Sequence, residues 1–168
     1  VLFKVLLMPL SISRAVKMLN SVGLEFSIEE LATKLGVSLK TAKRYAVELV
    51  KMGLVVEKDS GRFAVSDKGL LLLEGGSVKG RLVGNGEAYV FTDEKGAPVI
   101  LKVNSIEKLL IVVKHGLVPE EVLKLHLEKG YLVKWVSEQF GARLLAKQLA
   151  NVKTVESFVK LLEECLSA

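Results

Sequence analysis

The hydrophobic period of the chain changes once between Ser27 and Val65, from that of a helix to that of a strand, and this change limits the folds open to the first half. Ile28, Leu31, Ala32 and Leu35 recur at helical spacing behind Ser27-Ile28-Glu29-Glu30, a capping box in which Ser27 and Glu30 each satisfy a first-turn N–H. Gly36 suits the left-handed residue that closes such a helix. One short turn later Ser38 caps the next, Ser38–Met52, with Ala42, Tyr45, Ala46, Leu49 and Val50 on its apolar face and Gly53 at its end. Then Leu54-Val55-Val56-Glu57-Lys58 and Arg62-Phe63-Ala64-Val65 read as strands around the turn Asp59-Ser60-Gly61, which makes a hairpin. Before these elements, a helix from Ser11 or Ser13 to Ser21 carries Ile12, Ala15, Val16 and Leu19, with Val22 following on the same face. After them, Ser66-Asp67-Lys68-Gly69 opens a helix through Leu73 that ends at Gly75-Gly76.

The stretch from Ser27 to Gly76 resembles the DNA-binding domain of bacterial and archaeal transcription regulators of the broad MarR and ArsR kind, a winged helix-turn-helix. The resemblance rests on LATKLGVS (31–38), the exit L-x-x-MGLV (49–55) and the step FAVSDKG (63–69), and covers less than half of the chain. It implies double-stranded DNA as partner, with the third helix in the major groove and its first turns on base edges. Ser38, Lys40, Thr41, Lys43 and Arg44 are then the groove-facing positions. Arg44 has the geometry for a bidentate contact to guanine, Lys40 and Lys43 suit phosphates, and Thr41 suits a phosphate or a thymine methyl. Ser27 marks a helix N-terminus that offers N–H groups to a phosphate. Lys58 and Arg62 flank the wing turn and straddle the backbone or minor groove. The same fold also serves as a protein–protein module in nucleic-acid-processing complexes; Glu57, Asp59 and the apolar Leu39 fit that alternative.

From Ser77 onward the pattern differs. Residues 79–83 and 87–91 read as strands around Gly84-Asn85-Gly86, and Asn-Gly is a strong hairpin signal. Asp93-Glu94-Lys95-Gly96 is a second turn and 98–103 a third strand, which predicts a three-stranded meander. Helices follow: one capped by Asn104 or Ser105 and ended by Gly116, one opened by Pro119-Glu120-Glu121, then Tyr131–Phe140, Ala142–Leu149 and Thr154–Leu166. The fold class expected for the chain is therefore α+β: a winged helix-turn-helix over 1–76 and, over 77–168, a small antiparallel meander followed by helices. Two roles suit the second part: dimerisation, which pairs two recognition helices on two half-sites, and sensing of a small-molecule effector.

Several classes are disfavoured. The formal net charge of +5 is too small to identify a nucleic-acid binder by itself, so the placement of charges must carry that argument. A single cysteine, Cys165, forms no internal disulfide, and with His115 and His126 eleven residues apart no metal-ligand spacing appears. The two histidines and Cys165 read as surface or packed residues, and Trp135 with Tyr131 and Phe140 as an aromatic packing stripe. GRLVGNG (80–86) lacks the Lys-Ser/Thr and the helix of a phosphate loop. No catalytic constellation, cofactor or metal is expected. No apolar run is long enough to span a membrane, and a cytoplasmic location is expected. The apolar start, Val1 to Met8, is expected to pack on a partner element or a second subunit. Four Asn and two Gln among many Lys and Glu give the composition found in proteins from hot environments.

Overall fold

The computed structural model describes residues 9–99 and 102–168. The expected role of Val1 to Met8, and positions 100 and 101 of the expected third strand of the meander, lie outside the described residues. The protein is α+β, with nine α-helices among the described residues and one three-stranded antiparallel sheet. It divides into two compact units, one reaching as far as Leu73 and the other spanning Glu74–Ser167.

In the first unit, α1 (Ile12–Val22) is capped by the hydroxyl of Ser11, which accepts from Arg14 N at 3.2 Å. It buries Ala15, Val16, Met18 and Leu19, while Ile12, expected on that face, is 40% exposed. Helix α2 (Ile28–Leu35) begins with the expected capping box and ends at Gly36, whose φ of 65° is left-handed. Helix α3 (Leu39–Lys51) starts at Ser38, whose Oγ accepts from Thr41 N. Three strands follow the order β1-β3-β2: β1 (Glu25–Ser27), β2 (Val55–Glu57) and β3 (Arg62–Val65). The β2–β3 hairpin is the expected one, closed by a single 3-10 turn over Asp59–Gly61. Strand β1 was not expected, because a three-residue run is too short to show a period. It is fixed by Phe26 facing Phe63 across the ladder, with the two buried rings stacked at 5.6 Å. Leu19, Phe26, Leu31, Leu49 and Leu54 form the centre of this core.

Helix α4 (Asp67–Val78) does not stop at Gly75-Gly76 but runs through both. Gly75 is buried, and a side chain there has no room: a Cβ would sit 1.7 Å from the carbonyl oxygen of Cys165. The neighbouring Glu74 carboxylate accepts from Leu144 N at 3.0 Å and Leu145 N at 2.7 Å. It thereby caps α8 (Arg143–Leu149), whose own N-cap, Ala142, has no acceptor.

The second unit consists of α5 (Ile106–Lys114), α6 (Glu120–Glu128), α7 (Tyr131–Phe140), α8 and α9 (Val155–Cys165), packed on Ile106, Leu109, Leu123, Leu132, Leu145, Phe158 and Leu162. The expected meander is absent among the described residues. Residues 79–104 form an irregular segment with two isolated antiparallel bridges, Tyr89 to Val103 and Thr92 to Pro98. Residues 79–83 do not pair with 87–91; Val83 N instead donates to Asn104 O at 2.9 Å. Gly80, Gly84 and Gly86 explain the failure: they weaken a strand entropically and offer no side chain to pack. The second turn does form, with Gly96 N donating to Asp93 O and the Asp93 carboxylate accepting from Lys95 N and Ala97 N.

Side chains do what a ladder would otherwise do for this segment. Trp135 Nε1 donates to Glu87 O at 2.6 Å, and Arg81 donates to Phe140 O at 2.9 Å. His126 is buried, and its Nδ1 lies 2.5 Å from the Tyr89 hydroxyl. Its Nε2 lies 2.8 Å from Thr92 O and 3.0 Å from Thr92 N. Burial, and secondarily the neighbouring Tyr131, push the Tyr89 phenol well above its ordinary range, so it keeps its proton. Nε2 carries either the hydrogen that meets Thr92 O or the lone pair that meets Thr92 N–H, and the tautomer decides which way the Tyr89 bond runs.

Candidate nucleic-acid interface

Helix α3 turns its buried Ala42, Ala46 and Leu49 inward and leaves a broad exposed surface. At 3–4-residue spacing this face carries Leu39, Lys40, Lys43, Val47, Val50 and Lys51, all exposed. Lys40 and Lys43 therefore stand where a solvated cationic contact is possible, while Lys51 lies 3.7 Å from Glu48.

The remaining expected contact residues are committed in different ways. Arg44 is half-buried, with its guanidinium carbon 5.4 Å from the centre of the Tyr45 ring. Arg14 approaches the same ring at 6.0 Å, and its Nη2 donates to the Tyr45 hydroxyl at 3.4 Å. Tyr45, expected in the core, is half-buried between the two guanidinium groups. Ser38 Oγ accepts from Thr41 N and donates to Thr41 Oγ1 at 3.0 Å, so both hydroxyls serve the helix start. Ser27 is likewise engaged: its N–H donates to Glu30 Oε2 at 2.9 Å and its Oγ accepts from Glu30 N at 3.2 Å. That box occupies two of the N–H groups expected for a phosphate.

On the hairpin, Lys58 Nζ lies 2.6 Å from Glu25 Oε1 and Arg62 Nη2 lies 3.5 Å from Glu30 Oε2. The hydrogen bond and charge of Lys58 hold the Glu25 carboxyl below its ordinary range. Glu30 is lowered mainly by the Ser27 N–H and further by Arg62. The basic residues expected of the hairpin are thus paired with acids of β1 and α2. Glu25 was missed because β1 itself was not visible, and Glu30, placed in the capping box of α2, because nothing local brings it to Arg62.

A cavity of about 400 Å³ lies between α3 and the hairpin, lined by Ile28, Val47, Val50 and Phe63, with Lys43, Lys51 and Glu57 at its edge. Val50 was expected in the core, yet it is 40% exposed, with Val47 at 47% and Leu39 at 57%. The offset of Val47 from the Ala42–Ala46–Leu49 stripe was the available signal for an apolar outer face.

His115 is exposed and His126 is held as a packing residue, and no group of three metal-ligating side chains occurs among the described residues. No helix among the described residues is long and apolar enough to cross a membrane. Comparison with family models, curated proteins and solved structures finds no match for the chain.

Proposed function

We propose that the first unit is a winged helix-turn-helix domain that binds double-stranded DNA and that the protein is a homodimeric transcriptional regulator. In this reading α3 enters the major groove and the β2–β3 hairpin rests on the backbone or minor groove. The observation that carries it is the pair Lys40 and Lys43 on the outward face of a capped helix, beside a hairpin in sheet order β1-β3-β2. Lys43 is the central contact. Arg44, supported by Tyr45, reaches the groove from the flank.

Selection from a random duplex pool, read by sequencing and fluorescence anisotropy, tests this. The expected result is a two-fold symmetric site. Lys43→Ala weakens binding to every sequence, and Arg44→Ala relaxes preference at one position per half-site, by about 1–3 kcal/mol. No enrichment, with binding no tighter than that of an unrelated protein of equal charge, refutes the proposal.

The apolar cavity beside Val47 and Val50 favours a second reading, a protein-docking module, because apolar side chains on this face gain nothing from phosphates. Under it, Val47→Asp abolishes capture of a protein partner while Lys43→Ala has little effect.

A further inference from the structure

Tyr89, Phe91 and Val103 are buried, whereas Ala88, Val90, Lys102 and Asn104, their sequence neighbours, are not. Around the Tyr89–Val103 bridge the chain therefore alternates as a strand pair does, with one side on the core and the other turned away. The side turned away forms the wall of a groove of about 680 Å³, lined by Val83, Asn85, Ala88, Val90, Pro98, Lys102, Asn104 and Lys108. That volume falls in the range of small-molecule sites, about 300–1,000 Å³.

The lining has a definite chemistry. Val83, Ala88, Val90 and Pro98 give it an apolar floor, and Asn85 and Asn104 supply amide donors. Lys102 and Lys108 supply two cations, and none of the described lining residues is an acid, although the Glu87 carboxylate lies against Gly84, between Val83 and Asn85. Among the described residues neither lysine has a carboxylate within 4 Å, whereas Lys114, Lys124 and Lys134 of the same unit all do. The polar contact of Lys102 Nζ is Asn85 O at 3.4 Å, a neutral acceptor across the groove. Asn104 and Lys108 flank the start of α5, a nine-residue helix whose N-terminus adds positive potential. The nearest acid on that turn, Glu107, accepts from Gly80 N at 3.2 Å. The segment that builds the groove is also unusual in itself. Irregular connections longer than about 12–15 residues within a compact domain are uncommon and are usually functional or disordered. This one is held in place by Trp135, Arg81 and His126.

We infer that this groove is a binding site for a small amphipathic anion, an organic carboxylate or phosphate monoester with an aliphatic body. The anionic head lies between Lys102 and Lys108 and the body on Val83, Ala88, Val90 and Pro98. The inference does not rest on the DNA-binding reading.

The test is isothermal titration of the full chain with octanoate, octyl phosphate, octanol and inorganic phosphate, at matched ionic strength. Variants are Lys102→Gln/Lys108→Gln and, as a charge-matched control, Lys124→Gln/Lys134→Gln. Thermal melts check that each variant is folded. The expected result is saturable one-to-one binding of octanoate or octyl phosphate; whichever binds tighter identifies the head group. The Lys102/Lys108 variant weakens it tenfold or more, the control variant leaves it unchanged, and octanol and inorganic phosphate bind at least tenfold more weakly. Failure of both amphipathic anions to bind overturns the inference. So does equal binding by octanol, which removes the role of the charge, or by inorganic phosphate, which removes the role of the floor. Unchanged affinity in the folded Lys102/Lys108 variant overturns the placement.

Discussion

Replacing Gly75 by alanine sets two effects of opposite sign against each other. In an unencumbered helix interior the change stabilises by about 0.8–1.0 kcal/mol, because alanine loses less backbone entropy. In α4 the new Cβ would lie 1.7 Å from the Cys165 carbonyl oxygen, 2.6 Å from the carbonyl carbon and 3.0 Å from Sγ. Favourable contact between carbon atoms needs about 3.5–4.0 Å, so α9 must retreat by more than an ångström. The obstacle is backbone and cannot rotate away. Overpacking of this kind costs about 1–3 kcal/mol, and a clash with main chain belongs at the upper end or beyond. Set against the propensity gain of about 1 kcal/mol, the net expectation is a loss of about 2 kcal/mol or more. Gly76, the next residue of the same helix, is exposed, and Gly76→Ala is expected to gain up to about 1 kcal/mol. Urea unfolding followed by the fluorescence of Trp135, the single tryptophan, reads the second unit directly. A Gly75→Ala protein as stable as the parent would refute the close approach of α4 and α9.

Two further perturbations test the second unit. Tyr89→Phe leaves the buried Nδ1 of His126 without its partner and is expected to cost about 1–3 kcal/mol in the same assay. Combined with His126→Leu, the losses should be less than additive, because the second change removes the group that the first left unpaired; strict additivity would argue against the bond. Burial, followed by the charges of Glu74 and Glu164, pushes the Cys165 thiol up to about 12 from an ordinary 9.0. The folded protein then keeps a proton that the unfolded chain releases, so this group favours folding fully below pH 9.0, and the contribution is lost as pH rises toward about 12. The urea midpoint of the parent should fall more steeply over that alkaline window than that of Cys165→Ala; parallel curves would contradict a buried thiol.

Element type was legible wherever a cap and a repeat agreed. Ser38 accepts an N–H at the helix start assigned to it, as do Thr154, the first residue of the last helical stretch, and Ser11, one of the two starts open to the first helix. What was not legible depended on distant partners. Strand β1 exists because Phe26 meets Phe63, a pairing that no local period announces. The segment 79–104 alternates as strands do, but its glycines and the pull of Trp135 and His126 leave it bridged at two points instead of laddered. Helix α4 passes through two glycines because one of them is needed for close packing and not as a stop. The same limit applies to the candidate interface. Sequence located Lys40 and Lys43 on the outer face of α3, but the cations of the hairpin were read without Glu25 and Glu30, which lie far from them in the chain.

Those two carboxylates change what the hairpin can contribute to any polyanion. A cation that brings its own tethered anion adds no net charge, so a phosphate beside Lys58–Glu25 or Arg62–Glu30 keeps its share of the sodium or potassium condensed on the duplex. Counterion release then comes from α3. Each neutralised phosphate contributes about −0.9 to the slope of log affinity against log salt, so on the DNA-binding reading Lys40 and Lys43 give about −1.8 per protomer where four independent cations would give about −3.6. On the proposed DNA-binding reading, the duplex is held through a short-range fit more than through long-range attraction, and binding weakens less as ionic strength rises.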